Sequence, residues 1–140
     1  MSIKLEYNVL GENFSTAGSA SDSVKSQLKM LGIPSNDIRR VAIAMYEGEI
    51  NMVIHAGGGK AKVEICPDKV IIILEDNGPG IKDIDKAMEE GYSTASDDIR
   101  NLGFGAGMGL PNMKKCSNSM DIKSTLGVGT TITMTINFTN

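Results

Sequence analysis

The stretch Val70-Ile-Ile-Ile-Leu74-Glu-Asp-Asn-Gly-Pro-Gly80 decides how this chain folds. Its first half is an aliphatic run of the length of one buried strand, and its second half is a turn-forming sequence that begins with Asp76. Residues 60–66 predict a second strand, and Pro67-Asp68 between the two strands predicts a hairpin. A hairpin here argues against a doubly wound parallel sheet, in which strands alternate with helices.

The remaining elements are arranged around this hairpin. The pattern predicts a strand at 3–10, helices at 15–31, 35–56, 83–90 and 110–117, a long loop at 91–109, and strands at 119–125 and 130–138. Hairpins dominate the strand pairing, so the helices must share one face of the sheet. The predicted fold class is therefore α+β: a two-layer α/β sandwich with a mixed, mostly antiparallel sheet and helices on one face. A single domain covering 1–140 is expected.

Composition and charge exclude several classes of protein. The 140 residues carry a net charge of -3, so no basic surface for nucleic acid is expected. No apolar run is long enough for a signal peptide or a membrane span, which predicts a cytoplasmic protein without a membrane partner. Cys66 and Cys116 have no metal-binding spacing and predict buried, free thiols. With only one histidine, a site of several histidines is excluded.

The long helix at 35–56 carries a polar stripe. Arg40, Glu47 and Asn51 fall within about 40° of one another on a helical projection, and His55 extends the stripe by one more turn. One interpretation is a solvated face with a satisfied Glu/Asn pair. The other is that Asn51 offers its carboxamide oxygen to Mg²⁺ while Glu47 accepts a proton from an attacking hydroxyl. The spacing alone leaves both open.

The turn after the central strand has an alternative, functional interpretation. Asn-Gly and Pro-Gly are ordinary turn formers, but a simple turn would need neither an acid at the strand end nor two glycines. Asp76 can accept a hydrogen bond from an exocyclic amine such as adenine N6. Gly78 and Gly80 would allow the backbone to approach a flat base closely.

A second set of glycines, Gly103, Gly105, Gly107 and Gly109, stands directly before a predicted helix. Backbone amides in such a loop, together with the helix N-terminus, can bind phosphate, although many such runs are only flexible loops. The polar segment 92–108 is expected to form a lid that becomes ordered when nucleotide binds. A third glycine turn, Gly127-Val-Gly-Thr130, leads into the last strand.

Three motifs now stand in order along the chain: Glu47-Gly-Glu-Ile-Asn51, Asp76-Asn-Gly-Pro-Gly80 and Gly105-Ala-Gly-Met-Gly109-Leu. Together they resemble the N, G1 and G2 boxes of the GHKL ATPase superfamily, which includes Hsp90, gyrase B, MutL and histidine kinases. Within the superfamily, residues 75–94, 107–115 and 127–131 are similar to the anti-sigma-factor serine kinases of partner-switching modules. The resemblance covers about residues 15–138.

The resemblance implies a Bergerat fold that binds ATP and Mg²⁺. It implies that Asn51 binds Mg²⁺, that Asp76 binds adenine, and that Gly78 and Gly80 lie near the base with Thr130 beside the adenine contact. Glu47 would be the base for a serine on a partner protein. The resemblance implies that Gly105, Gly107 and Gly109 hold the phosphates, and it places Gly103, Met108 and Leu110 in the same nucleotide-binding site.

The function implied is a serine/threonine-protein kinase that phosphorylates a STAS-domain antagonist. The alternatives are a nucleotide-gated module that binds a sigma factor or another regulator without useful phosphotransfer, and a detached catalytic module of a histidine kinase. A homodimer is also considered. One departure from the family pattern is the longer segment at 95–104, which contains Asp97, Asp98 and Arg100.

Overall fold

The computed structural model of the protein describes residues 2–11, 17–89 and 109–139. Within these residues the chain forms five strands and four helices. Their order is β1 (Ile3–Leu10), α1 (Ser19–Met30), α2 (Ser35–Ala56), β2 (Gly58–Ile65), β3 (Lys69–Asp76), α3 (Ile84–Ala87), α4 (Gly109–Cys116), β4 (Ser119–Thr125) and β5 (Gly129–Asn137).

The five strands form one sheet in the order β1-β2-β3-β5-β4, and every neighbouring pair is antiparallel. The predicted hairpin is present: β2 and β3 pair in register with Val63 opposite Ile72. The Cys66 amide donates to the Lys69 carbonyl at 2.8 Å across the Pro67-Asp68 turn. The predicted α+β class is confirmed, and the described sheet is antiparallel throughout rather than mixed.

Alternation along the strands separates a core face from an outer face. In β3, Val70, Ile72 and Leu74 are buried toward the helices, whereas their neighbours on the other face are only half-buried. The outer face carries charged residues, and the Lys62 ammonium pairs there with the Glu75 carboxylate at 3.1 Å. Helix α2 lies across the sheet, and α1 and α4 pack against α2. One hydrophobic cluster therefore fills the space between the two layers.

Three consecutive glycines lie at the junction of α2 and β2, and β2 begins earlier than predicted. Gly57 alone ends α2, in the left-handed conformation with φ 70°, which glycine adopts without a steric cost. Gly58 and Gly59 already belong to β2. A side chain at Gly59 would collide with the Glu75 carbonyl and with Met52, so this glycine is needed for close packing between α2 and the sheet.

Other boundaries also shift. Helix α1 begins at Ser19, later than the predicted 15, and α3 is shorter than the predicted 83–90. The Asp83 carboxylate caps α3 by accepting from the Lys86 amide at 3.1 Å. Gly109, predicted to lie in the preceding loop, is the first residue of α4.

Both cysteines are free, as predicted, but each is half-buried rather than buried. In the described part of the chain, no helix combines the length and apolar character that crossing a bilayer requires.

Candidate functional site

The polar stripe of α2 faces the start of α4. Glu47 and Asn51 are both half-buried and lie one helical turn apart. A Cβ atom placed on Gly109 would lie 3.1 Å from Asn51 Oδ1 and 3.2 Å from its Nδ2. The fold thus brings together Glu47, Asn51 and Gly109, which sequence analysis placed in one site from motifs about 60 residues apart.

Glu47 lies in an environment that changes its basicity. Burial raises the pKa of the Glu47 carboxyl group, and a hydrogen bond from the Asn112 side chain opposes this rise. A carboxylate with a raised pKa is a stronger base than an exposed one. Sequence analysis did not single out Asn112. The available signal was its position three residues after Gly109, which puts both residues on one face of α4.

Asp76 ends β3 and is held by backbone amides. Its Oδ1 atom accepts from the Gly78 amide at 2.9 Å and from the Thr130 amide at 3.2 Å. Gly129 lies directly against this position, because a Cβ on Gly129 would overlap the Asp76 backbone carbonyl and its φ is 153°. The start of β5 therefore needs glycine at 129, and Asp76 and Thr130 lie together, as the resemblance implied.

A small hydroxyl network fixes the turn after Asp76. The Thr130 and Ser124 hydroxyl groups are 2.8 Å apart, and Ser124 Oγ accepts from the Ile81 amide at 2.7 Å. Gly80 has φ 81°, and a Cβ there would lie 2.6 Å from the Thr125 carbonyl oxygen. Packing within the protein therefore requires glycine at position 80, whether or not a nucleotide is bound. Ser124 was missed, since a serine in a strand carries no sequence signal of its own.

His55 continues the α2 line toward Asp76. Burial lowers the pKa of the His55 imidazole, and the nearby Asp76 carboxylate opposes this by raising it. The stripe predicted to extend from Asn51 to His55 therefore ends beside the β3 aspartate. The two halves of the candidate site, the one at Asn51 and the one at Asp76, are joined by the last turn of α2.

Arg40 does not belong to the site, although it shares the stripe. Its Nε donates to the Cys116 carbonyl at 3.2 Å, and its guanidinium also donates to Asn118 Oδ1 at 2.7 Å and to the Asn137 carbonyl at 3.1 Å. The long side chain reaches the end of α4 and the end of β5. Arg40 therefore holds these elements together and lies outside the candidate site, in which sequence analysis had not placed it.

Leu110 is the second residue of α4, and the resemblance places it in the nucleotide site. Its side chain is 8% exposed and belongs to the hydrophobic core, so only its backbone remains for a nucleotide contact. The other predicted residues of this box, Gly103, Gly105, Gly107 and Met108, lie outside the described residues, as does the segment 92–108 predicted to form a lid.

Sequence analysis missed a second carboxylate on α2. Glu49 is 2% exposed and accepts from the Gly18 amide at 2.9 Å, the Ala20 amide at 3.4 Å and the Ser21 amide at 2.7 Å. Burial raises the pKa of this carboxyl group, and these backbone bonds oppose the rise. Glu49 points away from Glu47, since two residues along a helix differ by about 200°. It satisfies the first amides of α1.

Comparison with known proteins places the chain in a family. Residues 36–140 match the family described as histidine kinase-, DNA gyrase B-, and HSP90-like ATPase. The protein belongs to this family, and the resemblance drawn from the three motifs is confirmed.

Two relatives are identical to the chain at about a third of the aligned positions. The serine/threonine-protein kinase RsbT of Bacillus subtilis is 37% identical over 108 residues, which are 74% of this chain and 75% of RsbT. The anti-sigma F factor of Caldanaerobacter subterraneus subsp. tengcongensis is 32% identical over 104 residues, which are 71% of this chain and 69% of that factor. Both belong to the group that the sequence indicated.

Solved structures support the fold. The RsbU and RsbW domains of a Mycobacterium tuberculosis protein match with a TM-score of 0.63 at 17% identity, covering 99% of this chain and 33% of that one. The SiaB–SiaC complex of Pseudomonas aeruginosa matches with a TM-score of 0.58 at 10% identity, covering 96% and 89%. At such identities the likeness shows the fold alone.

Proposed function

We propose that this protein is an ATP-dependent serine/threonine-protein kinase that phosphorylates a STAS-type antagonist in a partner-switching system. The observation that carries the proposal is the juxtaposition of Glu47 and Asn51 on α2 with the start of α4, in a chain whose relatives include RsbT. A half-buried carboxylate beside an amide oxygen and a helix N-terminus suits transfer of a phosphoryl group to a hydroxyl.

The adenine end of the nucleotide lies at Asp76. Its Oδ1 is used by the Gly78 and Thr130 amides, so Oδ2 is the oxygen that accepts from adenine N6. Because Oδ1 is fixed by backbone, the carboxylate is already oriented before the base arrives, which lowers the entropic cost of binding. Backbone amides at the start of α4 hold phosphate oxygens.

The donor set fits a magnesium ion shared with the nucleotide. No group of three His, Cys, Asp or Glu side chains able to hold a metal occurs among residues 2–11, 17–89 and 109–139. Mg²⁺ commonly uses one or two protein oxygens and takes its other ligands from phosphates and water. Asn51 Oδ1 is the atom that would hold it, and the ion would supply charge neutralisation at the phosphates.

Glu47 carries the proton in the transfer. Its carboxylate accepts the proton of the partner's serine or threonine hydroxyl while that oxygen bonds to the γ-phosphorus. The bond from the γ-phosphorus to the bridging oxygen breaks, and ADP leaves with the bonding electrons. Since burial raises the pKa of Glu47, the group is a stronger base for this step than an exposed glutamate.

A second function is favoured by the name of several relatives. Proteins called anti-sigma F factor are 29% to 34% identical to this chain. A nucleotide-gated module that binds a sigma factor without useful phosphotransfer is therefore the alternative. The SiaB–SiaC complex shows that a structural neighbour assembles with another protein, and a homodimer of the present chain remains a further hypothesis.

Phosphotransfer from labelled ATP to a candidate STAS protein tests the proposal. Glu47→Gln should reduce transfer by about 10²-fold or more and leave nucleotide affinity within a few-fold, because it removes basicity but keeps shape. Asp76→Asn should weaken nucleotide binding by about 1–3 kcal/mol, and Asn51→Ala should lose both Mg²⁺-dependent binding and transfer.

Glu64→Gln is the matched control, since Glu64 lies on the outer face of β2, away from the site. It should transfer phosphate like the wild type. Wild-type transfer by Glu47→Gln would make Glu47 structural. Nucleotide-dependent binding of a sigma factor with no transfer to any STAS protein would favour the alternative.

A further inference from the structure

Helices α2 and α4 run antiparallel along a shared line of contact. At one end, Arg40 Nε donates to the Cys116 carbonyl at 3.2 Å. At the other end, Gly109 lies against the Asn51 side chain, where an added Cβ would be 3.1 Å from Oδ1. The two contacts pair the early part of α2 with the end of α4 and the late part of α2 with its start. They fix the register between the two helices.

This register brings Asn112 opposite Glu47. On α2, residue 47 comes between positions 40 and 51 in sequence, and all three share a face about 40° wide. On α4, residue 112 comes between positions 109 and 116, and these three share a face about 60° wide. The Asn112 side chain is hydrogen-bonded to Glu47. The ionised carboxylate can only accept, so the Asn112 Nδ2 group is the donor.

We propose that Asn112 is a positioning residue for the phosphoryl transfer: its carboxamide holds the Glu47 carboxylate beside Asn51, in the orientation from which it takes the hydroxyl proton. This inference rests on the proposed kinase function. A glutamate side chain on a helix has three rotatable bonds, and fixing it costs entropy unless a neighbour restrains it. Since Gly109 of the same helix leaves little room for a side chain beside Asn51, α4 aligns together the base and the amide proposed to bind the metal.

The hydrogen bond affects the base in two ways. It restrains the carboxylate, and it stabilises the ionised form, which lowers the Glu47 pKa against the effect of burial. The other ionisable groups near this contact are the Cys116 thiol and the guanidinium groups of Arg40 and Arg39. The Cys116 thiol interacts with both arginines and with Glu47. Lys114 and Lys115 of α4 are exposed. Removal of the bond should therefore raise the Glu47 pKa while these charges stay unchanged.

Asn112→Leu tests the inference, because leucine has a similar size but no donor. We expect kcat for transfer to the STAS partner to fall by roughly tenfold, the effect of losing a hydrogen bond to a charged group, with the KM for ATP unchanged. The acid limb of the pH–rate profile should move to higher pH. Asn36→Leu is the matched control: Asn36 is exposed in the first turn of α2, and its profile should equal that of the wild type.

Carbon-13 NMR of the Glu47 carboxyl group in nucleotide-free protein gives a readout that does not depend on activity. The Glu47 signal is identified by its loss in Glu47→Gln, and its titration midpoint should be higher in Asn112→Leu than in the wild type. A titration midpoint that is unchanged in Asn112→Leu overturns the positioning role, and so does a raised midpoint with an unchanged kcat. Either result leaves the proposed kinase function standing. Absence of transfer by the wild-type protein contradicts the proposed function, and the positioning role fails with it.

Discussion

At the scale of single residues, the candidate site contains a glutamate, Glu47, whose ionisation is costly to the fold. Burial raises the Glu47 pKa above 4.5, so the folded protein binds this proton more tightly than the unfolded chain does. The stabilising contribution of the group is complete below pH 4.5 and is lost as the pH rises through the folded pKa. At neutral pH, the ionised Glu47 therefore destabilises the fold, as expected if this carboxylate has the proposed role of a base.

Glu47→Gln should consequently raise the free energy of unfolding at pH 7, and the difference from the wild type should shrink as the pH falls toward 4.5. Urea unfolding at both pH values measures this. The raised pKa of Glu49 affects both proteins equally and cancels in the comparison. A variant less stable than the wild type at pH 7 would show that the Asn112 bond outweighs the burial of the charge.

At the scale of elements, Glu49 explains how α1 is attached to α2. Helix α1 begins after Gly18 without a side-chain cap from its own sequence. Instead, the Glu49 carboxylate, from the middle of α2, accepts from three amides at the start of α1, which are otherwise left without partners at a helix N-terminus. The negative charge also suits the positive end of the helix dipole.

Glu49→Ala should lower the free energy of unfolding by about 2–4 kcal/mol, because it leaves buried amides unsatisfied and removes the cap of α1. Glu49→Gln should lower the free energy of unfolding by less than Glu49→Ala does, since glutamine keeps one acceptor oxygen. Chemical denaturation measures both, with Glu89→Ala as the control because Glu89 is exposed. Relative to the wild type, the Ala variant should show a larger increase in the hydrogen-exchange rate of α1 than in that of β3. An equal increase in both elements would contradict a local anchor.

At the scale of the whole molecule, Asp37 connects the helix layer to the end of the sheet. Its side chain is fully buried and accepts from the Thr139 amide at 2.9 Å and from the Thr139 hydroxyl at 3.0 Å. Arg40, which also holds Cys116 and Asn137, donates to the same carboxylate at 3.4 Å. These bonds join the first turn of α2 to the residues after β5.

Asp37→Ala should lower the free energy of unfolding by about 3–5 kcal/mol, since it leaves Arg40 without its buried partner and the Thr139 amide without an acceptor. Urea unfolding gives the value, and Asp121→Ala on the exposed face of β4 should change it little. Nucleotide affinity should be retained in the folded fraction, because Asp37 lies away from Asn51 and Asp76. A loss below 1 kcal/mol would mean that water replaces these bonds.

The local sequence determined the elements and much of the candidate site. An alternating segment, a continuous aliphatic run and the turn formers between them specify the β2–β3 hairpin, because strand patterns and turn chemistry are local properties. The helical repeat places Glu47 and Asn51 on one face, and the strand end places Asp76 at a turn. The motifs were sufficient to indicate the ATPase family, which the match over residues 36–140 confirmed.

Only the tertiary structure decided which polar residues of α2 lie in the candidate site and which hold the fold. Arg40 shares the stripe with Glu47, yet it bonds to α4 and β5, because a long side chain can reach elements that are distant in sequence. Glu49 is a buried carboxylate whose partners lie 28 to 31 residues away, and the buried Asp37 binds Thr139, which lies 102 residues away. Helical periodicity reports the direction of a side chain but not what stands opposite it. Asn112 faces Glu47 for the same reason: the register between α2 and α4 is a property of packing, not of either helix alone.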